Sequence, residues 1–215
     1  MERTAAAPTE EAVHDLRVAV RRLSEALRNR KSRKQLRRIR DRAAAVRDRD
    51  VALRLLRRPA SHPVVNYLQG QRDFAAAQLT EFLTRKLRHP LELPTEQGTP
   101  RPLLSRVDAF LDADPTQLHA LRIAAKRLRY AIEIRDPDGA EPWLKRLRLI
   151  QRHLGDWQDL QAATSLIARH PRAGAIVGEL QARAAVLEAR FHQQWQRNFG
   201  PRTRQRLRAW AASVT

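Results

Sequence analysis

The sequence predicts an all-α protein built from two tandem antiparallel helical bundles. Three observations support this fold class. Apolar residues recur at steps of three and four, as in Val13, Leu16 and Val20, which is the spacing of one face of an α-helix. Much of the first half of the chain recurs in the second half. No alternation of apolar and polar residues with a period of two, and no Asn-Gly turn, indicates a β-hairpin.

The internal repeat predicts the two bundles. The segment VHDLRVAVRRLSEA at 13–26 aligns with LHALRIAAKRLRYA at 118–131. The match continues through the later helices, and its register shifts only at proline-containing loops. We therefore predict a first bundle at 1–112 and a second at 113–215, facing each other about a pseudo-twofold axis.

Each bundle is predicted to contain three long helices and one short helix. Thr9 is a suitable N-cap for the first helix, and Asp114 followed by Pro115 is suitable for its counterpart. A mobile loop is predicted at 89–101, where proline and polar residues are frequent. The eight predicted helices are 9–29, 31–57, 62–88, 102–112, 115–135, 141–169, 173–198 and 201–213.

The charge of the chain indicates a polyanionic ligand. Among 215 residues, 42 are basic and 23 are acidic, which gives a net charge of +19. A protein with this charge binds DNA, RNA, anionic lipid headgroups or polyphosphate by releasing their counterions. Most of the basic residues are arginine, whose planar fork matches phosphate oxygens. Hydrophobic residues amount to 42%, which is enough for a folded core.

Several classes of protein and of site are not supported by the sequence. The chain has no cysteine, no apolar signal-peptide region and no apolar run near the length of about 20 residues that a membrane helix needs. Motifs of nucleotide-binding loops, zinc proteases and serine hydrolases are missing as well. We therefore expect a cytoplasmic protein without a membrane span, with no catalytic residues, no metal site and no cofactor.

A cationic stripe is predicted on the first helix of each bundle, beside the apolar face. A charged stripe is often only a solvated face, but such a face usually mixes signs. The recurrence of this stripe in both halves favours a binding surface. Its members are His14, Arg17, Arg21 and Arg28 in the first half and His119, Arg122 and Lys126 in the second.

Other helices add basic residues to these stripes. Asp48 and Asp159 lie among them, and we interpret these carboxylates as groups that orient arginine side chains. The row on the third helix of the second half is equally consistent with an anion-binding ladder and with a solvated surface. The added residues are Arg37, Arg40, Lys145 and Arg148 on the second helices, and Arg183, Arg190 and Arg197 at heptad spacing on that third helix.

Two motifs resemble the CHAD family, the conserved histidine α-helical domain. VHDLRVAVRRL and LHALRIAAKRLRYAIE are similar to its first-helix motif, and RDRDVALRLL and LGDWQDLQAA to its second. The resemblance covers essentially the whole chain. It implies two bundles around a central basic cleft or pore that binds inorganic polyphosphate, and polyphosphate granules as a location for some members. The residues it implies are His14, Arg17, Arg21, Arg22, Arg37, His119, Arg122, Lys126, Arg127, Arg129 and Arg148.

The expected function is therefore non-enzymatic binding of inorganic polyphosphate. The alternative is a helical protein that binds nucleic acid, including non-specific binding. Single-strand binders present aromatic platforms, whereas Phe74, Phe82, Phe191 and Trp195 fall at or near core spacings. A polyphosphate hydrolase would need clustered carboxylates for Mg²⁺, and the repeat aligns one per half. Whether His14 and His119 contact phosphate or are structural stays open, as does the oligomeric state.

Overall fold

The computed structural model describes residues 1–26, 30–87 and 102–214, and this part of the chain is helical without any β-strand. The predicted all-α fold class is confirmed. In chain order the helices are α1 (Glu2–Ala6), α2 (Glu10–Ala26), α3 (Arg30–Leu56), α4 (Pro63–Leu87), α5 (Leu103–Leu111), α6 (Leu118–Arg135), α7 (Glu141–Ile167), α8 (Gly174–Asn198) and α9 (Pro201–Ser213).

The lengths of the three long helices follow the internal repeat. α2 and α6 contain 17 and 18 residues, α3 and α7 contain 27 each, and α4 and α8 contain 25 each. α1 was not predicted, because its five residues are too few to show a helical period. The buried hydroxyl of Thr4 donates a hydrogen bond of 3.0 Å to the carbonyl oxygen of Ala12, which fastens α1 to α2.

The N-cap predicted for the first helix is confirmed, whereas the N-cap predicted for its counterpart in the second half is wrong. The Ala12 N–H donates to the Thr9 hydroxyl at 3.2 Å, as an N-cap requires. Asp114 instead forms a turn before α6, where its carboxylate accepts a 2.8 Å hydrogen bond from the Thr116 N–H. This backbone hydrogen bond lowers the pKa of Asp114. The loop predicted at 89–101 lies outside the described residues.

The chain divides into two compact units, which do not coincide with the sequence halves. The first unit consists of 1–98 with 159–180, and the second of 99–158 with 181–215. α7 and α8 therefore each contribute residues to both units. The division of the repeat at residue 112, the pseudo-twofold axis and the basic cleft remain predictions.

The core of the first unit is formed by α2, α3 and α4. Leu23 of α2, which the helical period places on the apolar face, is 37% exposed, although Val20, one turn earlier, is buried. Arg72 of α4 reaches the buried carboxylate of Asp50 at 2.8 Å and closes the core at that end. The core residues are Val13, Leu16, Val20, Leu36, Ile39, Ala43, Val46, Ala75, Ala76, Leu79 and Leu83.

The core of the second unit is richer in aromatic side chains. Trp195 of α8 packs against Phe110, Phe191 and Phe199, with ring centroids 5.0–6.0 Å apart across the cluster. Such a cluster buries a large apolar area in a small volume. The helical period of three and four places five apolar residues on one face of α6, and all five are buried: Leu118, Leu121, Ala125, Leu128 and Ile132.

Two of the four aromatic residues predicted at core spacings are fully buried. Phe191 and Trp195 are each 1% exposed. Phe82 is half-buried, and the guanidinium of Arg42 lies 4.1 Å from its ring centroid. The prediction is wrong for Phe74, which is 66% exposed on α4. The spacing of Phe74 along one helix therefore did not determine its burial.

No helix in the described ranges has the length and apolar character that crossing a membrane would require.

Candidate polyanion-binding surface

α2 carries the first predicted stripe. His14 is exposed, whereas Arg17 and Arg21, one and two turns later, are half-buried. The Nη1 atom of Arg17 is fully buried, and both arginines have interaction partners in the protein. Their stems therefore pack along the bundle while part of each charged head reaches solvent. Arg22 beside them is exposed, and Arg28 lies outside the described residues.

α6 carries the second stripe with the same order of exposure. His119 is exposed, and Arg122 and Lys126 are half-buried at the positions of Arg17 and Arg21. The Nε atom of Arg122 is fully buried, and Arg122 and Lys126 also have interaction partners in the protein. The two stripes are therefore alike in the exposure of their side chains as well as in their sequence.

A hydrogen bond to α7 orients His119. The Nδ1 atom of His119 lies 2.7 Å from the Oε1 atom of Gln158. Because an amide oxygen can only accept, Nδ1 carries the proton in this arrangement. The other ring nitrogen, Nε2, remains outside this bond, where it can accept from a protonated ligand or donate when the ring is charged.

Arg129 is held between α6 and α7. Its Nε donates to Gln151 Oε1 at 2.8 Å and its Nη1 donates to Glu133 Oε1 at 2.7 Å. Gln151 in turn donates to the carbonyl oxygen of Ala125 at 2.9 Å. These bonds leave fewer N–H groups of Arg129 for a ligand. Arg127, by contrast, is exposed.

Arg47 of α3, which sequence reasoning did not single out, joins α3 to α7. It makes a bidentate pair with Asp159 at 2.6 and 2.8 Å and a longer contact of 3.4 Å with Asp48. Burial by itself lowers the pKa of Arg47, but the hydrogen bonds and charges of Asp159 and Asp48 outweigh it and raise that pKa. The interpretation that both aspartates orient an arginine is confirmed, and it is the same arginine.

The repeat itself contains a signal that could have identified this network. In the alignment that pairs Asp48 with Asp159, Arg47 pairs with Gln158. One half thus has a cation that binds two carboxylates, while the other half has an amide that accepts from His119. The repeat therefore places different polar groups at this aligned position of α3 and α7.

The basic residues on the second helices lie at the surface, and three of them have acidic neighbours. Asp41 contacts both Arg37, at 3.6 Å, and Arg40, at 3.1 Å. Arg148 donates to Glu141 at 2.9 Å. Exposed ion pairs of this kind contribute little free energy, so a polyanion can displace the carboxylates from these arginines. Lys145 is exposed on the same helix as Arg148.

The third-helix row lies on α8, where Arg190 and Arg197 are exposed and Arg183 is half-buried with a partner in the protein. Exposure by itself is consistent with both interpretations of this row. In the described ranges, no group of three or more His, Asp or Glu side chains is placed to hold a metal ion.

The arrangement of these side chains defines a class of protein. It is a helical repeat protein whose first-helix stripes each present an exposed imidazole followed by two partly packed cations. Side chains at positions i, i+3 and i+7 lie within about 11 Å along a helix, at about 1.5 Å per residue. Such a stripe offers charge and N–H donors to the oxygens of a polyanion.

Comparisons with known proteins agree with this class. The family model of the CHAD domain matches residues 69–168, a range that includes the α6 stripe but not the α2 stripe. The crystal structure of the CHAD domain from the plant Ricinus communis has a similar fold, with a TM-score of 0.57 and 24% identity. The similarity covers 100% of this chain and 87% of that chain. No curated protein matches the sequence. The resemblance to the CHAD family is therefore confirmed over residues 69–168.

Proposed function

We propose that this protein binds inorganic polyphosphate through its cationic stripes, without changing the ligand chemically. The observation that carries the proposal is the repeated stripe. In both α2 and α6 an exposed histidine precedes, by one turn, an arginine with a buried guanidinium nitrogen. Partial burial limits the side-chain freedom that a cation loses when it binds phosphate.

The choice of polyphosphate among polyanions depends on the CHAD resemblance. The charge of +19 supports any polyanion, but the form of the stripe adds a preference. Charges aligned along one helix suit a single flexible chain of phosphates, whereas a duplex carries its phosphates on a fixed double helix. Polyphosphate also has no bases, and so it needs no stacking platform.

A nucleic-acid-binding function is the alternative, and one observation favours it. Phe74 is an aromatic ring that is 66% exposed, and exposed rings stack on unpaired bases. The charged side chains beside it, however, are Asp73 and Glu81, which would repel a phosphate backbone. Phe74 is therefore a poor stacking platform for nucleic acid.

A competition experiment tests the proposed function directly. We expect unlabelled polyphosphate to displace labelled polyphosphate at a lower phosphate concentration than duplex DNA, single-stranded RNA or ATP, at one fixed salt concentration. Fluorescence anisotropy of the labelled chain measures the displacement. Equal displacement by duplex DNA would show a general polyanion binder, and stronger displacement by RNA would favour the alternative.

The salt dependence of binding gives a second prediction. Each phosphate that the stripes neutralise releases condensed counterions, so the logarithm of the affinity should fall linearly with the logarithm of salt concentration. Titrations between about 50 and 200 mM salt cover the range where this effect is large. A flat response would contradict phosphate contacts by the stripes.

Two further parts of the proposal concern chemistry and location. Incubation of long-chain polyphosphate with the protein and Mg²⁺ should release no phosphate, since a two-metal mechanism needs clustered carboxylates.

The CHAD resemblance also supports a cytoplasmic location at polyphosphate granules. A fluorescent fusion should lose its granular pattern in cells that lack polyphosphate.

A further inference from the structure

A groove lies between α5 and α6, which both belong to the second compact unit. Its volume is about 340 Å³, at the low end of the roughly 300–1,000 Å³ of small-molecule sites. Arg106 of α5 and Arg127 of α6 line it, and the rest of its lining is mostly aliphatic. Three of the aliphatic residues are alanines, whose small side chains leave the space open. We call it the α5–α6 groove, and its apolar floor consists of Ala109, Ala120, Ile123 and Ala124.

Arg127 faces this groove rather than the stripe of α6. Successive residues of an α-helix are about 100° apart around its axis, so Arg127 lies well away from the direction of Lys126. Ala120, Ile123 and Ala124 lie seven, four and three residues before Arg127 and therefore share its side of the helix. Arg127 is exposed and has no interaction partner among the described residues. Its guanidinium is available to a ligand that occupies the groove.

The carboxylates on the α5 side of the groove are engaged elsewhere. The guanidinium of Arg208 on α9 binds Asp108 at 2.9 Å and Asp112 at 2.8 Å. On α6, none of the residues three or four positions from Arg127 is acidic. Arg106 is half-buried and has an interaction partner in the protein. The groove thus combines an apolar floor with an excess of positive charge.

In the first half, carboxylates of the chain itself neutralise the cation of the preceding short helix. α1 packs against α2, as α5 packs against α6. Arg3 of α1 pairs with Glu11 of α2 at 2.7 Å and with Asp15 at 3.3 Å. The repeat places Thr116 and Ala120 at the positions of Glu11 and Asp15. The second half therefore lacks both carboxylates, and an anionic ligand can take their place beside α6.

We propose that the α5–α6 groove binds a small phosphate monoester that carries a short apolar group. The guanidinium groups of Arg106 and Arg127 bind the phosphate, whose oxygens match the planar fork of arginine. A phosphate monoester carries a charge of about −1.5 to −2 at neutral pH, which two guanidinium groups balance. The apolar group lies on the alanines and Ile123, where it is removed from water. Polyphosphate has no such group, so this site is distinct from the stripes of the proposed function.

Titration of ¹⁵N-labelled protein with hexyl phosphate, followed by NMR chemical shifts, tests this proposal. We expect saturable shifts of the amide signals of Ala109, Ala120 and Ala124. The affinity should be at least about tenfold higher than that for inorganic phosphate, because the groove buries methylene groups of the hexyl chain. Hexanoate should bind more weakly than hexyl phosphate. Absence of these shifts at millimolar hexyl phosphate, equal affinities for hexyl phosphate and inorganic phosphate, or tighter binding of hexanoate overturns the proposal.

A pair of arginine variants tests the contact with the phosphate. Arg127→Gln should weaken the binding of hexyl phosphate by about tenfold or more, as expected for the loss of a hydrogen-bonded charge. Arg206→Gln is the matched control, because Arg206 is an exposed arginine of α9 in the same unit and the repeat aligns it with Arg106. This control should leave the affinity nearly unchanged. Equal losses in the two variants would show that net charge alone attracts the ligand, which contradicts the proposal.

Filling the groove separates this site from the proposed function. Ala109 is exposed, and Ala109→Phe should abolish hexyl phosphate binding while the affinity for polyphosphate stays unchanged, because no stripe cation is altered. Ala209→Phe is the control and should keep both affinities, since Ala209 is exposed on α9 and follows Arg206 as Ala109 follows Arg106. Circular dichroism confirms that both variants remain helical. Wild-type affinity for hexyl phosphate in Ala109→Phe, or loss of polyphosphate binding in that variant, would show that the groove is not a separate site.

Discussion

Replacing Arg17 and Arg122 together with alanine is expected to weaken polyphosphate binding by about tenfold or more. The two arginines occupy matching places in α2 and α6, and each has a fully buried guanidinium nitrogen. A hydrogen bond to a charged group is worth about 1.5–3 kcal/mol, and about 1.4 kcal/mol is a factor of ten in affinity. Titration of labelled polyphosphate, with circular dichroism to confirm helicity, measures the effect.

The matched control removes the same charge from elsewhere. Arg169 and Arg202 lie one in each compact unit, are exposed, and have no interaction partner among the described residues. The pair Arg169→Ala with Arg202→Ala should have a clearly smaller effect, because it removes charge without removing a stripe contact. Equal losses from the two pairs would show that net charge alone drives binding.

A conservative pair tests the geometry of the contact. Arg17→Lys with Arg122→Lys keeps the charge but replaces the planar fork by a compact ammonium. We expect an intermediate loss of affinity if the fork binds phosphate. Wild-type affinity in this pair would indicate that only the charge of the two positions matters. This pair also keeps the long aliphatic stem and thereby limits any loss of stability.

Replacing Arg47 with methionine is expected to lower the free energy of unfolding by about 1–3 kcal/mol, because it leaves carboxylates unpaired in a half-buried site. Asp159 is 17% exposed and Asp48 is 37% exposed. The loss of stability should therefore be smaller than the about 3–5 kcal/mol that breaking a fully buried ion pair costs. Chemical denaturation monitored by circular dichroism measures it. Adding Asp159→Asn to Arg47→Met should restore part of the stability, since a neutral amide costs less to leave unpaired.

Arg85 provides the comparison for Arg47. It pairs with Glu81, but both side chains are about 70% exposed (69% and 71%). Arg85→Met should cost less than about 1 kcal/mol, as is usual for surface pairs. If Arg47→Met costs no more than Arg85→Met, the contact between α3 and α7 does not stabilise the fold.

Helical periodicity predicted the elements well, because burial of an apolar face determines where long helices form. It succeeded for the face of α6 from Leu118 to Ile132, and the repeat predicted three long helices and one short helix in each half. It failed where neighbouring elements decide the outcome. Leu23 and Phe74 continue apolar patterns, but they are 37% and 66% exposed. A period describes one helix and contains no information about its neighbours.

For the candidate site, too, the sequence predicted some features and missed others. The stripe residues were predicted from sequence, because side chains at positions i, i+3 and i+7 lie on one face of any helix. Their partners were not found. Gln158 beside His119, and Arg47 between Asp48 and Asp159, meet across helices that are far apart in sequence. Which side chains face each other depends on the rotation and offset of packed helices.

By itself, the sequence determined the helical class, the repeat, the excess of positive charge and the two stripes. These properties follow from composition and from the period of a single helix. Only the tertiary structure decided which cations are partly packed, which are held by carboxylates and which apolar residues remain uncovered. Those outcomes depend on how helices pack against one another. The short periods that predict each helix do not specify that packing.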